Sequence, residues 1–212
     1  GLGPNTVPKY SVNVDSIMNF IGFEKVLLNN RSVKLNKGMY LDFNAIAKGY
    51  CVDLLSNALK KNNITNHLIE IGGEMYASGI NNITNTRWKV GISDPLKPDD
   101  TKQKIFLKNI ALASSGNYRK FLIDPETGVK IVHTINPNNG SANQTNILAS
   151  SVIAENCMTA DAYATAFMAM PLDKSISLIN DDKSLDGMII YFDSNNEIQT
   201  YYSSGFKKLI FD

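Results

Sequence analysis

Apolar residues recur at helical spacing at Ile46, Tyr50, Leu54, Leu55, Ala58 and Leu59. That period predicts an amphipathic helix opening on the stretch Leu41-Asp42-Phe43-Asn44-Ala45. Its end is signalled by Lys60-Lys61 followed by Asn62-Asn63, cations and then asparagine. A second helix is predicted over Thr159–Met170, and Pro171 opens a third running to about Asn180. Asp15–Phe23 reads as a shorter helix. Two-residue alternation predicts the strands. Lys25–Leu28 pairs with Ser32–Leu35 around Asn29-Asn30, and His67–Ile71 with Glu74–Ser78 across Gly72-Gly73. Further strands are expected at Arg87–Ser93, Lys104–Leu107, Ile110–Ser114, Lys130–His133 and Ile147–Ala154. Gly187–Phe192 and Glu197–Tyr202 form a closing pair. Runs of strands broken by segregated helices predict an α+β fold with mixed or antiparallel sheets.

Composition narrows the partners. The 212 residues are 43% hydrophobic, enough for the core of one domain or two small ones. With 21 basic and 20 acidic residues, the chain lacks the excess positive charge of a general nucleic-acid surface. No apolar run approaches the ~20 residues that span a bilayer. Two cysteines, Cys51 and Cys157, make no disulfide framework and read as small buried hydrophobes. The opening Gly-Leu-Gly-Pro-Asn reads as the interior of a longer protein.

Several residues carry candidate chemistry. Asp161 and Thr165 stand four apart on one helix face, among Ala160, Ala162, Ala164 and Ala166. A carboxylate and a hydroxyl suit Mg²⁺ or Ca²⁺ and not zinc. The competing account makes Thr159 the helix cap, places Asp161 at the positive helix end, and has Thr165 bonding back to a carbonyl. Lys48 falls in the first turn of its helix, where the macrodipole penalises a cation. Either Asp42 or Asn44 is a plain N-cap and Lys48 points to solvent, or the helix start and Lys48 together form an anion site. His133, beside Thr134-Ile135-Asn136-Pro137, is a general base or a structural hydrogen-bonder. His67, with no acidic or nucleophilic neighbour, reads as structural. Ser114-Ser115-Gly116-Asn117-Tyr118 and Gly72-Gly73 are turns that either line a ligand or do not.

In order along the chain, these pieces resemble one family. They are Leu41 to Tyr50, Glu70-Ile71-Gly72-Gly73-Glu74, Trp88 to Pro95, Ala113 to Tyr118, His133 to Pro137, and Cys157 to Ala162. The chain resembles the FAD:protein FMN transferases, or ApbE family, formerly called thiamine-biosynthesis lipoproteins. The resemblance implies one ApbE-like domain over residues 1–212, covering about the C-terminal two-thirds of the usual length without the preceding region. It implies transfer of FMN from FAD to a threonine hydroxyl of a target flavoprotein, releasing AMP. The targets implied are subunits of membrane redox complexes. The setting implied is extracytoplasmic or periplasmic, with a lipoprotein membrane anchor on the full-length protein. Metal ligands, for Mg²⁺ or Ca²⁺, fall on Asp161, Thr165 and the carbonyl of Ala45. FAD contacts fall on Asp42, Lys48 and Ile135, with Gly72, Gly73, Ser115 and Gly116 along the flavin. His133 is the candidate acceptor of the threonine's proton.

Two positions depart from the family pattern. Asn44 stands where glycine is expected, and Asn136-Pro137-Asn138-Asn139-Gly140 replaces a more usual Asp-Pro-x-Thr-Gly. The alternatives are a Mg²⁺-dependent FAD pyrophosphatase, with water in place of threonine, and a non-catalytic FAD-binding protein.

Overall fold

The computed structural model describes residues 14–97, 99–117, 121–123, 130–132, 134–140 and 145–211. In chain order the first elements are α1 (Val14–Met18), β1 (Leu27–Asn29), β2 (Ser32–Lys34), α2 (Ala47–Lys61), β3 (His67–Ile71) and β4 (Glu74–Ser78). Then come β5 (Trp88–Ser93), β6 (Thr101–Leu107), β7 (Ile110–Gly116), β8 (Phe121–Ile123) and β9 (Lys130–Val132). The last are β10 (Ile147–Ala154), α3 (Cys157–Ala169), α4 (Leu172–Asp181), β11 (Asp186–Phe192), β12 (Ile198–Tyr202) and α5 (Ser204–Lys207). Contacts divide the chain into two compact units, Gly1–Asp42 with Lys120–Asn143 and Phe43–Arg119 with Gln144–Asp212.

The smaller unit holds α1 and two antiparallel ribbons, β1–β2 and β8–β9. The Lys25 ammonium donates to the carbonyls of Met18, Asn19 and Ile21 at 3.1, 3.2 and 2.5 Å. A cation thus gathers three carbonyls at and just beyond the end of α1.

The larger unit is built on a six-stranded sheet of order β12-β11-β10-β7-β4-β3 in which every pairing is antiparallel. Strand alternation sends neighbouring side chains to opposite faces. Tyr76, Ala111, Ala113, Val152 and Ile189 pack with α2, α3 and α4, around Val52, Phe167 and Ile179. Their neighbours Ala77, Leu112, Ile153, Met188 and Ile190 pack on the other face against β5, β6 and Phe206 of α5. The result is a helix layer, a sheet, and a two-stranded ribbon. Covered on both sides, β10 is buried at all eight positions. Its two serines are paired: Ser150 Oγ donates to the Ala164 carbonyl at 2.6 Å, and Ser151 Oγ lies 2.8 Å from Ser114 Oγ.

Short-range signals placed most elements well. The β3–β4 hairpin has the predicted residues, with Gly72 and Gly73 at φ 62° and 106° as a tight two-residue turn demands. Helix α2 ends with Asn63 at φ 62° and the Ile64 amide bonded to the Leu59 carbonyl at 3.0 Å, the asparagine stop that the sequence predicts. Several expectations need correction. Helix α1 stops at Met18, five residues short of the expected Phe23. Helix α3 begins at Cys157, two residues early, because Asn156 and not Thr159 is the cap and accepts from the Thr159 amide at 2.8 Å. The N-cap position of α2 is Ile46, with no side-chain cap, so neither Asp42 nor Asn44 serves there. Cys51 is exposed while Cys157 is buried, since α2 turns Gly49, Val52 and Ser56 inward. Strand β8 and helix α5 were not foreseen; their three and four residues are too few to show a period.

Phe167 has no exposed surface and lies at the centre of the helix-side core. Phe167→Ala is expected to lower unfolding free energy by about 3–5 kcal/mol. Ile83→Ala, at a side chain 94% exposed, is expected to stay within about 0.5 kcal/mol. Urea titration of both variants checks the contrast.

Candidate functional site

The site begins where α2 and α3 start. A helix leaves its first amide groups without internal partners, and Ile46 supplies no side chain to meet them in α2. The Gly49 amide instead donates to Asp161 Oδ2 at 3.0 Å, across 112 residues. In return Asp53 of α2 accepts from the Cys157 and Met158 amides of α3 at 2.8 and 2.9 Å. Each helix therefore caps the other with a carboxylate, at the ends where the dipoles favour negative charge. Gly49 makes this approach possible, because a Cβ there would stand 2.4 Å from the Cys157 carbonyl oxygen.

Lys48 has a partner that the sequence reading did not assign. Its ammonium lies 2.6 Å from Glu74 Oε2, with the lysine side chain 47% exposed and the glutamate 1%. Glu74 is the first residue of β4, directly after the Gly72-Gly73 turn, and Gly72 lies against the lysine stem. The ion pair offsets the unfavourable placement of a cation at a helix start.

Burial drives the electrostatics. It raises the Glu74 carboxyl above its ordinary value; the Lys48 hydrogen bond and charge pull the other way, and the Asp161 charge adds to the rise. Asp161 is also raised by burial, against the Gly49 amide and the Lys48 charge. The Cys157 thiol is pushed far up by burial and by Asp53, Glu74 and Asp161, so it stays protonated. Lys48, Glu74 and Asp161 when ionised carry one positive charge and two negative ones, an arrangement that favours an added cation.

One turn beyond Asp161, Thr165 Oγ1 lies 3.2 Å from Ser115 Oγ on β7. Its hydroxyl thus faces a serine, where the capping account had it bonding back to a carbonyl. No group of three or more His, Cys, Asp or Glu side chains suited to a metal occurs among the described residues. A cation at Asp161 would therefore rely on hydroxyl and main-chain oxygens, a donor set that fits Mg²⁺ or Ca²⁺. Ala45 precedes the first turn of α2 and is half-buried, and Gly116 ends β7 opposite Ala149. Asp42 and Ile135 are exposed residues of the smaller unit. His133 lies outside the described residues. His67 has the structural role expected of it, with Nε2 2.9 Å from Ser56 Oγ and Nδ1 3.0 Å from the Ile64 carbonyl.

Glu74, Asp53 and Gly49 are the residues that local pattern missed, since their partners lie 26 to 112 residues away. Asp53→Ala strips two amides of their acceptor and is expected to cost about 1–3 kcal/mol, read from chemical denaturation. For Glu74 the sign runs with pH. A carboxyl raised on folding holds its proton longer than the unfolded chain does, so its contribution falls as pH rises from about 4.5 through its folded value. Glu74→Gln is therefore expected to melt higher than the parent at pH 7 and to lose that advantage near pH 4, by thermal unfolding across the range.

Comparison with known proteins agrees with this frame. Residues 3–189 match the model of the ApbE family. The chain is 32% identical over 219 aligned residues to the FAD:protein FMN transferase of Haemophilus influenzae, covering 99% of this chain and 62% of that one. Identity to the protein of the same name from Vibrio cholerae is 29%, with 99% and 63% covered. The solved structure of the flavin transferase ApbE from Vibrio cholerae superposes with a TM-score of 0.84 at 26% identity, over 99% of this chain and 66% of that one. The ApbE protein of Thermotoga maritima gives 0.79 at 25% identity, over 94% and 63%. The chain thus spans less than two thirds of the length of these relatives. With an α+β antiparallel architecture shared across nearly all of its length, this chain belongs to the ApbE family.

Proposed function

We propose that this chain carries the flavin-transfer chemistry for which its relatives are named, moving FMN from FAD to a threonine hydroxyl of an acceptor flavoprotein with AMP released. One observation carries the reading: Lys48, Glu74 and Asp161 meet at the start of α2, giving a fixed ammonium beside a surplus of carboxylate charge. That pairing of features suits a diphosphate bridge held together with a hard divalent ion. Asp161, Thr165 and the Ala45 carbonyl would hold Mg²⁺ or Ca²⁺. Bound there, such an ion supplies charge neutralisation at the pyrophosphate. Lys48 binds the phosphates as a point charge. Gly73, Ser115 and Gly116 are assigned to the remainder of FAD.

In the transfer, the threonine oxygen attacks the phosphorus on the riboflavin side. The new O–P bond forms as the bridging P–O bond breaks, and AMP leaves with the bridging oxygen. The threonine proton passes to His133, the group assigned as base. The acceptors envisaged are subunits of membrane redox complexes, reached outside the cytoplasm by a membrane-anchored protein. Among the described residues of this chain, no helix is long and apolar enough to cross a membrane.

Incubating the protein with FAD, Mg²⁺ and a threonine-bearing acceptor is expected to give the acceptor–FMN phosphoester and one AMP each, by intact mass and chromatography. Asp161→Asn keeps an oxygen for the Gly49 amide while removing the charge. It is expected to remain folded and to lose at least about 100-fold in rate. Chelation should stop the reaction and added Mg²⁺ should restore it. Free FMN with an unmodified acceptor would replace the transferase reading by hydrolysis, and retained FAD without AMP would replace it by simple binding.

A further inference from the structure

Glu74 is a nearly unexposed carboxylate, held by β4 beside the Gly72-Gly73 turn and joined to the Lys48 ammonium at 2.6 Å. A lysine needed only for phosphate would do without it. The pair is a close ion contact in which Glu74 Oε2 has no hydrogen-bond partner, and with the lysine side chain 47% exposed the ammonium keeps donors for a ligand. Ionised, Lys48, Glu74 and Asp161 sum to one negative charge in the place assigned to a diphosphate, with Asp161 tied to the amide of Gly49, the residue after Lys48.

We propose, on the reading that this site binds the FAD diphosphate beside a divalent cation, that Glu74 is a positioning residue that makes phosphate binding conditional on the cation. Without the cation, the surplus carboxylate charge repels the diphosphate. With it, the local sum turns positive, and Lys48 meets the phosphates already fixed in orientation. Neutralising Glu74 has two opposed effects. Lys48 loses its anchor, which weakens phosphate binding by the ordering of one long side chain. The repulsion also disappears, and between full charges at short range in a partly dehydrated site this is the larger effect. Repulsion decides the sign.

The relation is thermodynamic and therefore reciprocal: whatever factor the cation adds to FAD affinity, FAD adds to cation affinity. Titration of FAD by its fluorescence, without acceptor, in EDTA or in saturating Mg²⁺, reads it directly. The parent protein is expected to bind FAD at least about tenfold more tightly with Mg²⁺. Glu74→Gln is expected to bind FAD about tenfold more tightly in EDTA, with the Mg²⁺ enhancement reduced by a similar factor. Calorimetry with Mg²⁺ alone is expected to show about tenfold weaker binding in the variant. Glu74→Ala carries the same expectations should the glutamine variant fail to fold. A merely structural role would move both FAD affinities together and leave their ratio intact. A ratio unchanged in both variants, or a parent ratio near one, overturns the proposal while leaving FAD binding standing. No FAD binding by the folded parent under either condition overturns the functional reading and this inference with it.

Discussion

Two helices complete each other's first turns. Asp161 receives the Gly49 amide of α2, and Asp53 receives the Cys157 and Met158 amides of α3. Glycine at 49 sets how close the two backbones come, and the exchange sets how they are aligned. The positions of the other candidate residues in this unit follow from that alignment. Lys48 precedes the glycine and is directed to Glu74, and Thr165 follows Asp161 by one turn and meets Ser115. Asp161 thus has a structural task, which a neutral residue with a suitably placed oxygen would also meet, beside the chemical one proposed for its charge.

The sheet supplies the platform. Its alternating side chains feed two separate cores, so the helix layer is fixed from beneath while the β5–β6 ribbon closes the other face. Glu74 sits in the helix-side region as a charge that burial disfavours. A structure selected for stability alone would place a neutral group there. A buried carboxyl raised by desolvation beside a specific charge partner is a functional-site candidate on physical grounds.

Much of this was legible in the sequence, and what was not has a common cause. The Gly72-Gly73 hairpin, the buried run at Ile147–Ala154 and the asparagine stop of α2 depend on neighbours a few residues away. Local pattern reads such features directly. The shared face of Asp161 and Thr165 was equally visible, as was the oddity of a lysine at a helix start. What resolves each oddity comes from far along the chain. Asp42 and Asn44 looked like caps because a cap is ordinarily local, whereas the carboxylate that serves is at position 161. Thr159 looked like the start of α3, although Asn156 three residues earlier holds its amide. Nothing in the spacing of Lys48 and Glu74 announces that they touch. The flavin chemistry is a proposal from resemblance; the structure shows one cation and two carboxylates gathered at the start of α2.

The exchange of caps also has a consequence in time. The bonds that join α2 to α3 span 104 to 112 residues. At a synthesis rate of roughly 5–20 residues per second, several seconds pass between the emergence of one helix and the other. Through that interval the Gly49 amide in the first turn of α2 lacks Asp161, its acceptor, and the nascent helix frays there. The N-terminal end of this helix is therefore among the last parts to mature, and a ribosome paused before residue 157 would display an α2 whose far end is formed and whose first turn is not.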